Sequence, residues 1–242
     1  MIRAEHIFKS YLSQSVIDDF SYTFKSGQLN TVIGASGSGK TTLLRILLAL
    51  EPPSAGKFYY DNQEIQDSES QVLNNIRQQT GVLFQGSALF DAMTVYQNVR
   101  FPLDLYSALS EQDKHQRTLE CIARVMLDGN EQRLPSELSG GMKKRAALAR
   151  AIVNKPLYLF CDEPNSGLDP ITSAGIDELI AGITHELQTT TLLVTHDMNT
   201  VYSVADDIIF LHKGKLAWSG NSTGLEQQNL PELQKFIKIY KR

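Results

Sequence analysis

The chain has 242 residues, 42% of them apolar and 21% charged, with a formal net charge of −4. That length buries a substantial core in one domain or two closely joined ones. The mild acidity excludes the concentrated basic face that nucleic-acid binding needs. The richest apolar run, 43–50, is broken by Arg45 and falls far short of the roughly 18 residues that span a bilayer. The first six residues lack the apolar core of a secretion signal. The expectation is a cytosolic chain that reaches a membrane only through a partner. Cys121 and Cys161 are isolated and fit no metal-ligand spacing, so they read as reduced, buried thiols.

Along the chain, residues 20–24 alternate apolar and polar side chains before Gly27, which predicts a strand and a turn. Residues 29–33 predict a compact apolar strand ending at Gly34. The next stretch, Gly34-Ala35-Ser36-Gly37-Ser38-Gly39-Lys40-Thr41, matches the P-loop pattern in full, with a strand before it and a helix after it. Its glycines let backbone N–H groups converge on phosphate oxygens, and the following helix adds its positive end. Lys40 suits the β- and γ-phosphates, and the Thr41 hydroxyl suits Mg²⁺. Residues 41–51 predict a helix that is apolar nearly all round and stopped by Pro52-Pro53. Residues 56–60 predict another strand. The middle third, 94–135, reads as helix and loop, with helical spacing at Leu119, Ile122, Val125 and Met126.

Glu137-Leu138-Ser139-Gly140-Gly141-Met142 precedes a predicted helix over 143–155, stopped by Pro156. Ser139 is a natural N-cap, and the two glycines expose the first N–H groups of that helix as a second anion site. Taken alone, the segment reads first as a glycine-rich cap. Residues 157–161 predict a buried strand that delivers Asp162 and Glu163 to its end, where open α/β sheets place their sites. Asp162 suits Mg²⁺ ligation through water and Glu163 suits polarising an attacking water, although an acidic pair alone also opens many loops. An amphipathic helix over 171–187, a strand over 190–195 and a hairpin of 208–211 with 215–219 complete the pattern. Strands alternating with helices imply an α/β core with a mainly parallel sheet. Residues 1–242 then form one domain, with roughly 86–155 as an inserted helical subdomain.

In order, the P-loop, a lone Gln85, Leu138-Ser139-Gly140-Gly141, the Asp162-Glu163 strand, Ser166-Gly167-Leu168-Asp169 and His196 resemble the motif set of ABC ATPases over nearly the whole chain. The resemblance implies a RecA-like P-loop NTPase core with an N-terminal antiparallel β subdomain and the inserted α-helical subdomain. It implies ATP and Mg²⁺ as cofactors, ATP hydrolysis, and a homodimer that sandwiches nucleotide. Gly34 through Thr41, with Thr42, would then hold the phosphates. Tyr11 would stack on adenine, with packing at a strand end as the alternative. Thr41, Gln85 and Asp162 would serve the metal. Glu163, Gln85 and His196 would be catalytic, His196 hydrogen-bonding the γ-phosphate. Ser139, Gly140, Gly141 and Met142 would close on ATP held by the other subunit. Asp169 would cross the interface, although Asp169-Pro170 also makes a good helix start.

Met142 followed by Lys143-Lys144-Arg145-Ala146-Ala147, together with residues 83–103, resembles the Mla-type ATPases. These work with MCE proteins in phospholipid trafficking at the Gram-negative inner membrane. Asp162-Glu163-Pro164 through Asp169-Pro170-Ile171-Thr172 agrees. The chain departs from that pattern at Ala35, where proline is usual, and at Asn165. The resemblance implies an integral-membrane permease, an MCE-domain protein and a small cytoplasmic accessory subunit as partners. It places the chain on the cytoplasmic face of the inner membrane, with residues 86–103 gripping the permease. A polar amino-acid importer, or an ABC ATPase of cell division or iron–sulfur assembly, is the alternative.

Overall fold

The structure, a computed structural model, describes residues 1–12, 14–65 and 70–240. The first half runs β1 (Ile2–Tyr11), β2 (Gln14–Phe24), β3 (Leu29–Ile33), α1 (Lys40–Leu47), β4 (Ala55–Tyr60), β5 (Gln63–Glu64), α2 (Ser70–Gln78) and β6 (Thr80–Leu83). Then come α3 (Val95–Tyr106), α4 (Glu111–Arg124), α5 (Gly140–Ile152) and β7 (Tyr158–Asp162). The last part is α6 (Pro170–Leu187), β8 (Thr190–Thr195), α7 (Met198–Val204), β9 (Asp207–His212), β10 (Lys215–Gly220), α8 (Ser222–Gln227) and α9 (Pro231–Tyr240).

Two sheets organise these elements. The first is antiparallel, in the order β2-β1-β4-β5. The second has the order β10-β9-β3-β8-β7-β6 and is parallel throughout except at the β10 edge. This is the expected α/β core with an antiparallel amino-terminal sheet. Phe20, Phe24, Phe58, Leu43, Leu47, Phe160 and Val194 fill one shared apolar layer between the sheets and α1. The opposite face of the parallel sheet is covered by α3 to α6, through Val99, Ile122, Leu148, Ile176 and Ile180. Because β6 and β7 are parallel neighbours, everything between them is one long crossover. Its helices share their core with sheet residues Leu29, Leu83, Leu159 and Leu193.

Several boundaries differ from the sequence expectation. The first helix stops at Leu47, not Glu51. Ala49 is left-handed at φ 52°, and its N–H and that of Leu50 return to Ile46 O and Arg45 O, which closes the helix in a Schellman motif before the prolines arrive. The helix after Ser139 spans 140–152 rather than 143–155. Ser139 caps it directly, so the glycines lie in its first turn, and left-handed Lys155 follows its end. Val125 and Met126 fall beyond α4, where Met126 (φ 57°) is exposed.

Candidate functional site

Four motifs meet at the carboxyl end of the parallel sheet, as the direction of its strands requires. Strand β3 runs into the glycine loop, and α1 starts at Lys40. Gly39 sits at φ 106°, and a Cβ there would lie 2.8 Å from Val16 O, so conformation and space both demand glycine. Lys40 is buried, and its Nζ donates to Gly34 O at 2.7 Å and Ala35 O at 3.2 Å. Burial pulls its ammonium below the usual lysine range, and the charges of Glu163 and Asp162 pull it back. The ammonium is thus tethered to carbonyls it can exchange for phosphate oxygens.

Asp162 and Glu163 arrive on β7. Asp162 Oδ1 is buried with no partner among the described residues. Burial pushes that carboxyl above the usual range, the neighbouring Glu163 pushes the same way, and Lys40 and Lys144 pull it down. Ser38 Oγ is a second orphan, at the loop itself. Among the described residues no group of three or more His, Cys, Asp or Glu forms a cage for a metal ion. One carboxylate, a hydroxyl and substrate phosphates are the donor set that Mg²⁺ prefers, so the chemistry fits.

Glu163 has a left-handed backbone, φ 45°, and its N–H is held by Val194 O at 2.9 Å. His196 Nδ1 lies 2.8 Å from Glu163 Oε1, and with the carboxylate as acceptor the ring nitrogen donates. Gln85 stands across the cleft and donates from Nε2 to Ser166 Oγ at 3.2 Å. The cleft is lined by Ser36, Gly37, Lys40, Thr41, Thr42, Gln85, Glu163 and His196. The structure therefore brings together the P-loop, the carboxylate pair, Gln85 and His196.

Other expected residues stand elsewhere. Tyr11, exposed at the β1–β2 turn, donates its hydroxyl to Glu51 Oε2 at 2.8 Å and lies under the Lys9 ammonium, and Gln14 and Val16 of the same hairpin line the cleft. Ser139, Gly140, Gly141 and Met142 form the start of α5 and are absent from that lining. Ser139 Oγ accepts from Met142 N at 3.3 Å, with Ser139 and Gly140 exposed. A Cβ on Gly141 would meet Thr172 Cγ2 at 2.5 Å, so this glycine lets α5 approach α6. Asp169 caps α6, accepting from Ile171 N, Thr172 N and Thr172 Oγ1. Those bonds from Thr172 hold its carboxyl below the usual range.

Two residues without a role in the sequence reading touch the site. Buried Lys144 of α5 donates its ammonium to Gln85 O, which ties the helix behind Ser139 to the cleft. Tyr240, at the end of α9, lines the cleft and meets the His196 ring edge-on, with centroids 5.5 Å apart. The basic run after Met142 hinted at the first. Nothing in the local pattern marked the second.

The profile of the ABC transporter family matches residues 17–166. The chain is 36% identical over 236 residues to the probable ribonucleotide transport ATP-binding protein mkl of Mycobacterium tuberculosis, covering 98% of this chain and 66% of that one. It is 37% identical over 225 residues to methionine import ATP-binding protein MetN 1 of Pseudomonas fluorescens, covering 91% of this chain and 67% of that one. The chain thus spans about two-thirds of the length of these relatives. Among solved structures, the ATP-binding cassette MJ0796, a dimer bound to ADP and Pi, superposes with a TM-score of 0.83 at 31% identity, covering 91% and 98% of the two chains. CbiO1 of Clostridium perfringens, part of the transporter complex cbiONQ, gives 0.86 at 26%, covering 98% and 94%.

Proposed function

The chain belongs to the ABC transporter family, and from that premise we propose that two copies close face to face, each completing the other's active site, to power phospholipid movement through a membrane permease. As a cassette of this family it binds ATP with Mg²⁺ and hydrolyses it. The observation that carries the shared-site reading is the separation of two phosphate-binding surfaces. The P-loop lines the cleft, while Ser139 and Gly140, exposed at the start of α5, are absent from its lining. A second copy is the simplest way to bring them together.

Within such a site, Lys40 releases the carbonyls of Gly34 and Ala35 and binds phosphate oxygens, and the loop N–H groups position the chain of phosphates. Thr41, Asp162 and Gln85 would hold Mg²⁺, which would supply charge neutralisation to the phosphates. Glu163 takes the proton of the attacking water. His196, oriented by its bond to Glu163, donates toward the γ-phosphate. The partner's Ser139 and Gly140 N–H groups face the same phosphate from the far side, and Asp169 stands at the seam.

Residues 86–103 support the docking proposal. Phe84, Phe90, Phe101, Leu105, Tyr106 and Arg150 line an apolar groove. Phe90 packs edge-on against Phe101 at 4.8 Å, with the Arg150 guanidinium 5.9 Å from its ring, and still remains exposed. An amphipathic cytoplasmic helix of a permease fits such a groove. Among the described residues no helix is long and apolar enough to cross a membrane, so attachment through that permease is the proposed route. An MCE-domain protein and a small accessory subunit complete the proposed complex. Phe90→Glu is expected to remain folded and bind ATP while losing its permease in pull-downs from membranes, because a hot-spot aromatic is gone. Intact assembly and lipid transfer in that variant would reject the docking surface.

The lipid cargo rests on the likeness of residues 83–103 and Met142 to Mla-type ATPases. The methionine-import relatives favour an amino-acid importer as the second reading. Co-purification of the wild-type complex separates the two. Phospholipid with an MCE-domain protein supports the first, and an amino-acid permease without lipid supports the second.

A further inference from the structure

Three side chains outside the cleft form a closed polar triangle behind it. Asn165, two residues past Glu163, donates Nδ2 to Asp177 Oδ1 at 2.7 Å and to Thr200 Oγ1 at 3.1 Å. Thr200 Oγ1 in turn donates to Asp177 Oδ2 at 2.8 Å. The three belong to different elements: the loop after β7, α6 and α7. Asp177 is 3% exposed and Thr200 fully buried. A buried carboxylate is ordinarily paired with a cation. Here, among the described residues, no basic group forms an ion pair with it, and the charged groups that act on it from neighbouring elements are Asp197 at the start of α7 and, on β7, the Cys161 thiol. Burial pushes the Asp177 carboxyl up to about 6, with Asp197 adding to the rise and the bonds from Thr200 and Asn165 opposing it.

An apolar side chain at 177 would fill the same place at less cost, so the triangle's value lies in what it holds. On one side is the loop that begins at Glu163, whose left-handed backbone donates its N–H to Val194 O and accepts from Ser166 N. On the other is α7, whose first turn follows His196 directly. The Glu163–His196 bond spans these two loops at 2.8 Å. Backbone pairing between their parent strands ends at the bond from Glu163 N to Val194 O, before the loops diverge. The triangle is the side-chain brace between them.

We infer that Asp177, with Asn165 and Thr200, is a positioning device that clamps α7 to the loop after β7 and thereby fixes His196 against Glu163 for hydrolysis. It rests on the reading of Glu163 as the base and His196 as its neighbour on the phosphate. None of the three residues lines the P-loop cleft, so the clamp governs the chemical step and not nucleotide capture. Releasing one corner lets the two side chains drift, and displacement on the 1 Å scale costs about 10²-fold in well-oriented reactions.

Thr200→Val keeps the shape of the side chain and removes both of its bonds. Steady-state ATPase measurements on the full chain, at a temperature where circular dichroism shows every variant folded, are expected to give at least about a tenfold lower kcat with an unchanged KM for MgATP. Thr200→Ser, which restores the hydroxyl, is expected to recover wild-type kcat, and Asp177→Asn, which can still accept from Asn165 and hydrogen-bond Thr200, is expected to stay close to it. A wild-type kcat in Thr200→Val overturns the inference. So does a loss in Thr200→Val that Thr200→Ser fails to restore, or one that raises KM in step, since either marks a general disturbance. Wild-type turnover in Glu163→Gln would instead remove the reading on which the inference rests, whatever the Thr200 variants do.

Discussion

Glu163→Gln is expected to bind MgATP as the wild type does and to hydrolyse it about 10²–10⁴-fold more slowly, a barrier increase of roughly 3–5 kcal/mol. The substitution exchanges one oxygen for a nitrogen and alters little else. The Gln carbonyl can still accept from His196 Nδ1, which the carboxylate holds at 2.8 Å, and the backbone bond to Val194 O is untouched. What disappears is the basic oxygen beside the place where water attacks. Asp162 cannot substitute for it. It is deeper, and its orphaned oxygen is suited to a metal. Nucleotide binding and turnover, measured separately, check the claim. Turnover near the wild-type rate would remove Glu163 as the base and shift attention to His196.

Lys40→Ala and Ser139→Arg are each expected to abolish most activity in homodimers, yet to complement each other when mixed. Lys40 supplies the phosphate-binding ammonium in its own cleft. Ser139 is exposed at the start of α5, and an arginine there would obstruct any nucleotide approaching those N–H groups. Loss of one preorganised donor at a phosphate costs on the order of 10²–10³-fold, and a steric block costs at least as much. Ser139→Arg also removes a helix cap worth about 1 kcal/mol, which the fold tolerates. In a forced heterodimer of the two variants, one composite site carries both lesions and the other carries neither. Partial ATPase recovery on pairing is the expected result. Full activity in the Ser139→Arg homodimer would place the whole site within one chain.

Much of this was legible in the residues, for local reasons. The P-loop, the β7 carboxylates and the Lys213-Gly214 turn are contiguous segments whose chemistry and backbone needs coincide. Lys213 and Gly214 both adopt positive φ, as a tight hairpin turn requires. Strand β1 was hidden because its alternation is broken. His6 and Asp19 are left-handed, and the β1–β2 register shifts between Ala4 and Ile7, so Ile2, Ala4 and Ile7 do not fall on one simple period. The same irregularity explains why only 20–24 of β2 was visible. Helix α5 starts about one turn before its expected place since glycines discourage a helix in isolation, while Ser139 and the packing of Gly141 on Thr172 impose it. The contacts of Tyr11 were set by tertiary placement, since the fold puts Lys9 and Glu51 beside it. Lys144, Tyr240 and the Asp177 triangle join residues far apart in the chain, and no spacing rule announces such contacts.

The claim on which the rest depends is that ATP is the bridge between two copies of this chain. Light scattering of Glu163→Gln with and without saturating MgATP tests it directly, since slow hydrolysis preserves the closed state long enough to weigh. The expected result is a monomer that doubles in mass on adding MgATP, and that no longer does so once Ser139→Arg is introduced into the same chain. A mass that stays monomeric with the nucleotide shown to be bound, or a dimer indifferent to Ser139→Arg, would contradict the shared site.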